Sequence, residues 1–264
     1  MLDWWLLTIF GFLIGIIASL TGVGGGIFIV PVLNFFYAFS VVNATATSLT
    51  TIIFTAIAAT INYSRQKRIF YKTGLILIIT TAPGAYLGAW LATILEERLL
   101  GLIFGSFLIL VAIRMIVSTL RKKTQTENRP QRTDNELVKL RRIIIIGAGL
   151  SFFGGIAAGL LGIGGGTLIV PIMAVIMGMP IHYATATSMF TMIFTSISGV
   201  TKYYQSNLIN FPVALMLAAG TVIGAQVGAY TSKKISGRNL SLIFGIILAI
   251  AGINMIIKFW PLSL

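Results

Sequence analysis

Long unbroken runs of apolar residues dominate this chain, and they predict its main structural elements. Six of these runs cover residues 45–63, 73–95, 99–120, 184–204, 211–231 and 240–257. Each is close to the ~20 residues that a helix needs to cross the hydrocarbon core of a bilayer. The six runs therefore predict an all-α polytopic membrane protein.

The overall composition supports this fold class. Hydrophobic residues make up 57% of the 264 residues, charged residues only 9%, and the mean hydropathy is +0.97. A soluble domain carries about 25% charged residues. The first ten residues, MLDWWLLTIF, hold an acid and no basic residue, which is unlike the positive start of a signal peptide. We therefore expect the first apolar segment to belong to the membrane fold.

Two glycine-rich stretches interrupt the apolar pattern at matching places. LTGVGGGIFIVP occupies residues 20–31, and LLGIGGGTLIVP occupies residues 160–171. Residues 15–31 and 155–171 are identical at 11 of 17 positions, and residues 44–55 and 184–195 at 9 of 12. The chain is thus a duplication with a constant offset of 140 residues.

Each copy predicts a short-helix hairpin broken at the glycines, followed by three transmembrane helices. The hairpin either crosses the membrane twice or re-enters from one side, since thirteen residues such as 27–39 make only about 20 Å of helix. We assign residues 1–119 to the first membrane repeat and residues 143–264 to the second. The polar stretch at residues 120–142 is the linker between them.

The distribution of basic residues predicts how the copies are oriented. The linker holds eight of the 19 basic residues, so the positive-inside rule makes it cytoplasmic. The same rule places the basic loop at 65–72 inside. Its equivalent at 205–210 then falls outside. Two predicted helices separate the loop at 65–72 from the linker, whereas one helix and a hairpin with either no crossing or two separate the loop at 205–210 from it. The repeats are therefore predicted to be inverted, with both chain termini outside.

The glycine breaks are the first candidates for chemistry. Inverted repeats with interrupted helices are typical of secondary transporters, whose site lies near the midplane between the repeats. A helix that restarts after Gly26 or Gly166 presents free N–H groups and a positive dipole end, which suit an anion. The alternative is a kink that lets neighbouring helices pack closely.

The second candidates are the ATATS segments, at residues 44–48 and 184–188, which open the helix after each hairpin. Their hydroxyls could complete the coordination of an oxyanion without a buried counter-charge, or could simply cap and pack the helices. The residues that we predict to bind the substrate are Gly24, Gly25, Gly26, Thr45, Thr47 and Ser48 with Gly164, Gly165, Gly166, Thr185, Thr187 and Ser188.

The sequence lacks the residues that several kinds of functional site require. The chain has no cysteine, and no Asp or Glu lies in any of the six apolar runs. Metal and cofactor sites are therefore not indicated, nor is a nucleophile–base set, so we expect no enzyme. The only histidine, His182, falls at a helix start. The net charge of +13 is explained by cytoplasmic loops, so the bilayer rather than nucleic acid is the expected partner.

The paired motifs carry a family resemblance over nearly the whole chain. GVGGGIFIVP at 22–31 with NATATS at 43–48, and GIGGGTLIVP at 162–171 with ATATS at 184–188, resemble the TauE/SafE family of membrane permeases. The resemblance implies transport of a small sulfur-containing anion, such as sulfite or an organosulfonate like sulfoacetate, across the bacterial inner membrane.

From the repeat and the resemblance together we expect a multi-pass secondary transporter that works by alternating access. The alternatives are a passive anion channel and a non-transporting membrane scaffold. Which anion is carried, the direction, any proton or ion coupling, and the oligomeric state are left open at this point.

Overall fold

The computed structural model describes residues 5–120, 132–232 and 238–260, and the regular structure in these ranges is helical. Residues 121–131 of the predicted basic linker, and residues 233–237 of the predicted inner loop, lie outside the described residues. In chain order the helices are α1 (Leu6–Thr21), α2 (Gly26–Phe36), α3 (Val41–Arg65), α4 (Tyr71–Ile94), α5 (Glu97–Leu120), α6 (Asp134–Lys139), α7 (Arg141–Leu161), α8 (Gly166–Pro171, continued by a π-helical turn at Ile172–Ile176), α9 (Ile181–Gln205), α10 (Phe211–Thr231) and α11 (Arg238–Phe259).

Helix length and composition confirm the all-α polytopic membrane fold. Five of the described helices, α3, α4, α5, α7 and α10, are long and apolar enough to cross a membrane. The predicted run at 184–204 does form a helix, α9, with 25 residues. It is not one of the five, and its buried face is largely hydroxyl-bearing.

One arm of the glycine hairpins differs from the expected pair of short helices. In the first copy α1 has 16 residues and α2 has 11, but in the second copy α7 has 21 residues and is itself long enough to span. The extra length comes at its start, where Arg141 and Arg142 lead into the run IIII. The second hairpin therefore begins with a full-length helix.

The chain forms two compact units. The smaller, residues Ile94–Arg129 with Lys233–Leu264, contains α5 and α11. These two helices pack through glycines: a Cβ built at Gly252 would lie 2.9 Å from the Gly105 carbonyl oxygen. Arg98 Nε donates to the Phe259 carbonyl at 3.3 Å near the end of the pair. Small residues at the contact allow this close approach of two membrane helices.

The larger unit, residues Met1–Thr93 with Pro130–Ser232, contains the other helices, and in it the two copies exchange partners. The α1 helix packs on α10, where a Cβ at Gly15 would lie 2.8 Å from Thr221 Cα. Its equivalent α7 packs on α4, where a Cβ at Gly155 would lie 2.9 Å from Thr81 Cα. Each hairpin is therefore fixed to a helix of the other copy.

In each copy, one buried tyrosine bonds the hairpin to a later helix of the same copy. Tyr63 on α3 donates to the Ser19 carbonyl at 2.6 Å, and Tyr203 on α9 donates to the Gly159 carbonyl at 2.7 Å. Donor and acceptor both differ by 140 between the two bonds. The duplication seen in the sequence is thus repeated in the contacts, while the orientation of the copies relative to the membrane stays a prediction.

The described end of the linker is packed rather than solvated. Its short helix α6 buries Leu137 completely, in a cluster that includes Leu77, Met173 and Met177. The helix start is fixed by the Thr133 backbone N–H, which donates to Glu136 Oε2 at 2.8 Å. That bond holds the pKa of Glu136 below its ordinary value. The polar composition of the linker gave no indication of this docking.

Candidate anion site at the paired glycine loops

Each glycine run forms a tight loop between two helices, and the backbone there requires glycine. Gly22 ends α1 with φ +74° and Gly162 ends α7 with φ +67°. Gly25 and Gly165, at the starts of α2 and α8, have φ +85° and +87°. Side chains disfavour this left-handed region, and glycine does not. The helix breaks predicted from the sequence are therefore real turns of the chain.

The two loops lie directly against each other. A Cβ at Gly26 would lie 2.6 Å from Ile163 Cα, and a Cβ at Gly166 would lie 2.9 Å from Val23 Cα. The loop of one copy thus fits against the backbone of the other. Glycine is needed here for a second reason, because any side chain would separate the loops.

The ATATS helices cross between the copies to hold these loops. Ser48 Oγ on α3 donates to the Gly162 carbonyl at 2.8 Å, and Ser188 Oγ on α9 donates to the Gly22 carbonyl at 2.9 Å. Both bonds are buried and again differ by 140 at each end. Gly22 and Gly162, which were not among the predicted site residues, are therefore the glycines that the serines contact.

The loops also present hydrogen-bond donors that the protein itself does not use. Within the described residues, the backbone N–H groups of Gly24, Gly25 and Gly26 donate to no acceptor, and neither do those of their equivalents Gly164, Gly165 and Gly166. All six glycines are buried. Three of these donors lie on each loop, where they precede or begin the next helix.

Thr45, which lies against the second loop, carries one more unused donor. Its side chain is fully buried, and its hydroxyl has no hydrogen-bond partner within the described residues. The backbone and methyl group of Thr45 lie against Gly162, 2.7–2.8 Å from a Cβ built there. Its equivalent Thr185 lies against Gly22 in the same way. These two threonines therefore adjoin the loops.

The hydroxyls of the other two predicted threonines, Thr47 and Thr187, bond to turns rather than to the glycine loops. Thr47 Oγ1 accepts a bond from the Asn210 backbone N–H at 3.2 Å, and Thr187 Oγ1 accepts one from the Phe70 backbone N–H at 3.0 Å. These bonds hold the turns that precede α10 and α4. Thr47 and Thr187 thus position neighbouring helices.

Two apolar side chains that sequence reasoning missed cover the loops. Met192 Sδ would lie 2.8 Å from a Cβ at Gly24 and 3.0 Å from one at Gly164. Ile52, its equivalent in the first copy, would lie 3.0 Å from a Cβ at Gly164. Both side chains are fully buried. In the sequence, only their offset of 140 residues marks Ile52 and Met192 as a pair.

The stretches of chain that form the loops carry no acidic residue, lysine or arginine. No Asp, Glu, Lys or Arg occurs between residues 4 and 64 or between residues 143 and 201, the stretches that contain both loops and both ATATS segments. The described residues also hold no group of three or more His, Asp or Glu that could bind a metal. What the loops offer a ligand is therefore backbone dipoles and hydroxyls.

Comparison with known proteins places this architecture in a family. The family model described as Sulfite exporter TauE/SafE matches residues 7–255. The chain belongs to the TauE/SafE family. A Bacillus subtilis relative named "Probable membrane transporter protein YunE" is 31% identical over 95% of this chain and 96% of its own length.

Other TauE/SafE relatives come from distant organisms. A protein of Methanocaldococcus jannaschii, also named a probable membrane transporter protein, is 30% identical over 96% of this chain and 95% of its own. One from Xylella fastidiosa is 26% identical over 95% of this chain. No solved structure matches the chain significantly. The comparisons confirm the family resemblance of the motifs and a multi-pass membrane protein whose relatives are named as transporters.

Proposed function

We propose that this TauE/SafE protein is a secondary transporter that carries a small sulfur-containing anion across the cytoplasmic membrane. The observation that carries the proposal is the set of unused, buried N–H donors on the two facing glycine loops. Donors of this kind solvate an anion and repel a cation. The Thr45 hydroxyl, unpaired beside the loops, can add a further bond.

A polyatomic oxyanion suits these donors better than a monatomic ion. Sulfite and organosulfonates present three oxygens on one sulfur, and each oxygen can accept more than one N–H bond. The carbonyls of Gly22 and Gly162, which would oppose an anion, already accept bonds from Ser188 and Ser48. The family description, Sulfite exporter TauE/SafE, supports the same class of substrate.

The reciprocal contacts of the two copies support alternating access. In inverted-repeat transporters one half rocks against the other around a shared site, and the two end states resemble each other with the halves exchanged. Here the serine bonds to the two glycine loops are equivalent, with an offset of 140 residues between them. Met192, which covers both loops, is a flexible thioether that can move aside for a substrate.

The test is substrate flux into proteoliposomes with sulfite, sulfoacetate, thiosulfate, sulfate and chloride, with and without a pH gradient. We expect saturable flux of at least one sulfur anion, whereas a passive channel would saturate only at high concentration and ignore the gradient. Replacement of Gly25 or Gly165 by leucine should abolish flux, because φ near +85° and a Cβ crowded by Ile14 or Ile169 strain the loop.

Gly149 supplies the matched control for these substitutions. A Cβ at Gly149 meets no atom within 4 Å, so Gly149→Leu should transport normally. Thermal unfolding in detergent must show that the Gly25 and Gly165 variants are still folded. Normal flux in both folded variants would exclude the glycine loops as the site, and absence of flux for all five anions in the unaltered protein would exclude the substrate class.

A further inference from the structure

The two ends of the larger unit are built alike but are closed to different degrees. At one end, the turn that follows α2 and the turn that precedes α10 line a pocket of about 590 Å³. Its polar side chains include three asparagines, Asn43, Asn207 and Asn210, with Ser40 and Tyr37, and we refer to it as the asparagine pocket. Asn43 is only five residues from Ser48, about 7.5 Å along α3, so the pocket lies close to the glycine loops.

The opposite end repeats the same backbone with different side chains. The equivalents of Asn43 and Asn210 are Tyr183 and Phe70, whose rings are 4.9 Å apart. The backbone bond from Phe39 to Leu33, at 3.1 Å, is matched by the bond from Met179 to Met173, at 3.0 Å. Aromatic and thioether groups therefore stand where the asparagine pocket is polar.

Residues 132–139, which we name the cover, lie over this second end. Leu137 of the cover is fully buried in one cluster with Met177 and Met179, against which Phe70 and Tyr183 pack. Arg132 is bonded twice to the turn beneath it: its backbone N–H donates to the Gly178 carbonyl at 3.1 Å, and its Nη1 donates to the Met177 carbonyl at 3.0 Å.

The cover also replaces a helix cap that the second end lacks. The α10 helix is capped by its own Asn210, which accepts from the Val213 N–H at 3.2 Å. The equivalent helix α4 has Phe70 at that position, whose side chain has no acceptor. Instead Asp134 of the cover accepts from the Thr73 N–H at 3.0 Å, from the Thr73 hydroxyl at 2.7 Å and from the Lys72 N–H at 3.2 Å.

Thr73 is the equivalent of Val213, so the linker supplies the cap that the repeat itself has lost. A carboxylate at a helix start is favoured both by the bonds and by the helix dipole. The cap therefore couples the position of the cover to the position of α4.

From this asymmetry we infer that residues 132–139 are the gate at the second end of the transport path. The bonds from Asp134 to the start of α4 hold this gate shut, while the asparagine pocket gives access from the first end. The inference rests on the proposed function, because a gate presupposes a path. Since the basic linker and the loop at 65–72 are predicted to be cytoplasmic, the gated end is the cytoplasmic one.

Cysteine labelling tests the gate without any substrate, and the chain has no cysteine of its own to remove. Phe39→Cys lines the asparagine pocket, and the equivalent Met179→Cys lies in the cluster at the covered end, where Met179 is 3% exposed. We expect a charged maleimide to label Phe39→Cys quickly and Met179→Cys slowly. Adding Asp134→Ala should raise the rate at Met179→Cys about fivefold or more, the effect of losing a helix cap.

Two controls separate gating from unfolding. Asn210→Ala removes the equivalent cap at the other end and should leave Met179→Cys protected. Ala59→Cys, in the fully buried core of α3, should stay unlabelled with and without Asp134→Ala. Rapid labelling of Met179→Cys in the otherwise unaltered chain would overturn the gate, and so would a rate that Asp134→Ala does not change.

A crosslink then connects the gate to transport. In Asp134→Cys with Thr73→Cys, the two thiols stand where the native side chains are hydrogen bonded, and a short thiol-specific crosslinker should hold the cover shut. We expect crosslinking to stop anion flux and a reducible crosslinker to restore it on reduction. Undiminished flux through the crosslinked protein would refute the gate. Flux that is absent in the unaltered protein would instead count against the proposed function and leave the labelling result standing.

Discussion

Replacing Thr45 by valine separates the stability of the protein from its ability to bind an anion. Thr45 is fully buried against Gly162, and its hydroxyl has no partner within the described residues. Valine keeps the branched shape and replaces this hydroxyl with a methyl group. An unpaired buried hydroxyl costs about 1–3 kcal/mol, so Thr45→Val without substrate should be at least as stable as the unaltered protein.

When substrate is present, the loss of the Thr45 hydroxyl is unfavourable, because the hydroxyl then bonds the anion. A hydrogen bond to a charged group contributes about 1.5–3 kcal/mol, and each 1.4 kcal/mol changes affinity tenfold. We therefore expect Thr45→Val to raise the half-saturating anion concentration roughly 10- to 150-fold. Thr50→Val is the matched control, because the Thr50 hydroxyl donates within its own helix, to the Ala46 carbonyl at 3.0 Å.

Two assays measure the two quantities independently. Thermal unfolding in detergent without substrate gives the stability, and initial rates of flux over a range of substrate concentrations give the half-saturating value. A Thr45→Val protein that is clearly less stable than the unaltered one, with an unchanged half-saturating concentration, would refute the assignment of Thr45 to the site.

Two further predictions concern the residues that hold and cover the loops. Tyr203→Phe and Tyr63→Phe should each lower the free energy of unfolding by about 1–3 kcal/mol, because each removes one buried bond to a hairpin carbonyl. The two losses should be similar, and unequal losses in thermal unfolding would argue against equivalent roles. Met192→Ala should cost about 2–5 kcal/mol of stability yet speed the binding of the anion, measured by stopped-flow fluorescence, and slower binding would contradict its role as a cover.

Much of the helical architecture follows from the sequence because the membrane imposes it. The predicted run at 45–63 lies within α3 at Val41–Arg65, and the run at 211–231 coincides with α10. A spanning helix must be apolar over a fixed length, so composition alone gives its bounds to within a few residues. The glycine turns were equally readable, since four glycines in five positions have few uses other than a break.

Contacts between distant parts of the chain could not be read in the same way. That Ser48 bonds Gly162 rather than the loop of its own copy depends on how the copies pack. The role of Met192 as a cover was hidden because a methionine in an apolar helix carries no local signal. Asp134, in a polar linker, gave no sign that it caps α4, because a helix cap supplied from elsewhere in the chain leaves no mark at the helix it caps.

Direct observation of the glycine N–H groups tests the central claim, that the two loops bind the anion. Labelling glycine with carbonyl ¹³C and ¹⁵N gives coupled carbonyl–nitrogen signals only where one glycine follows another. In this sequence those are Gly25, Gly26, Gly165, Gly166 and Gly155. The first four lie in the loops, and Gly155 lies within α7, packed on Thr81, as an internal control.

The measurement is the solid-state NMR spectrum of the labelled protein in lipid, recorded with and without sulfite at a concentration that saturates flux. The account predicts that the amide signals of Gly25, Gly26, Gly165 and Gly166 shift as their N–H groups bond the anion, while the Gly155 signal does not move. Four unchanged loop signals at saturating sulfite would contradict it.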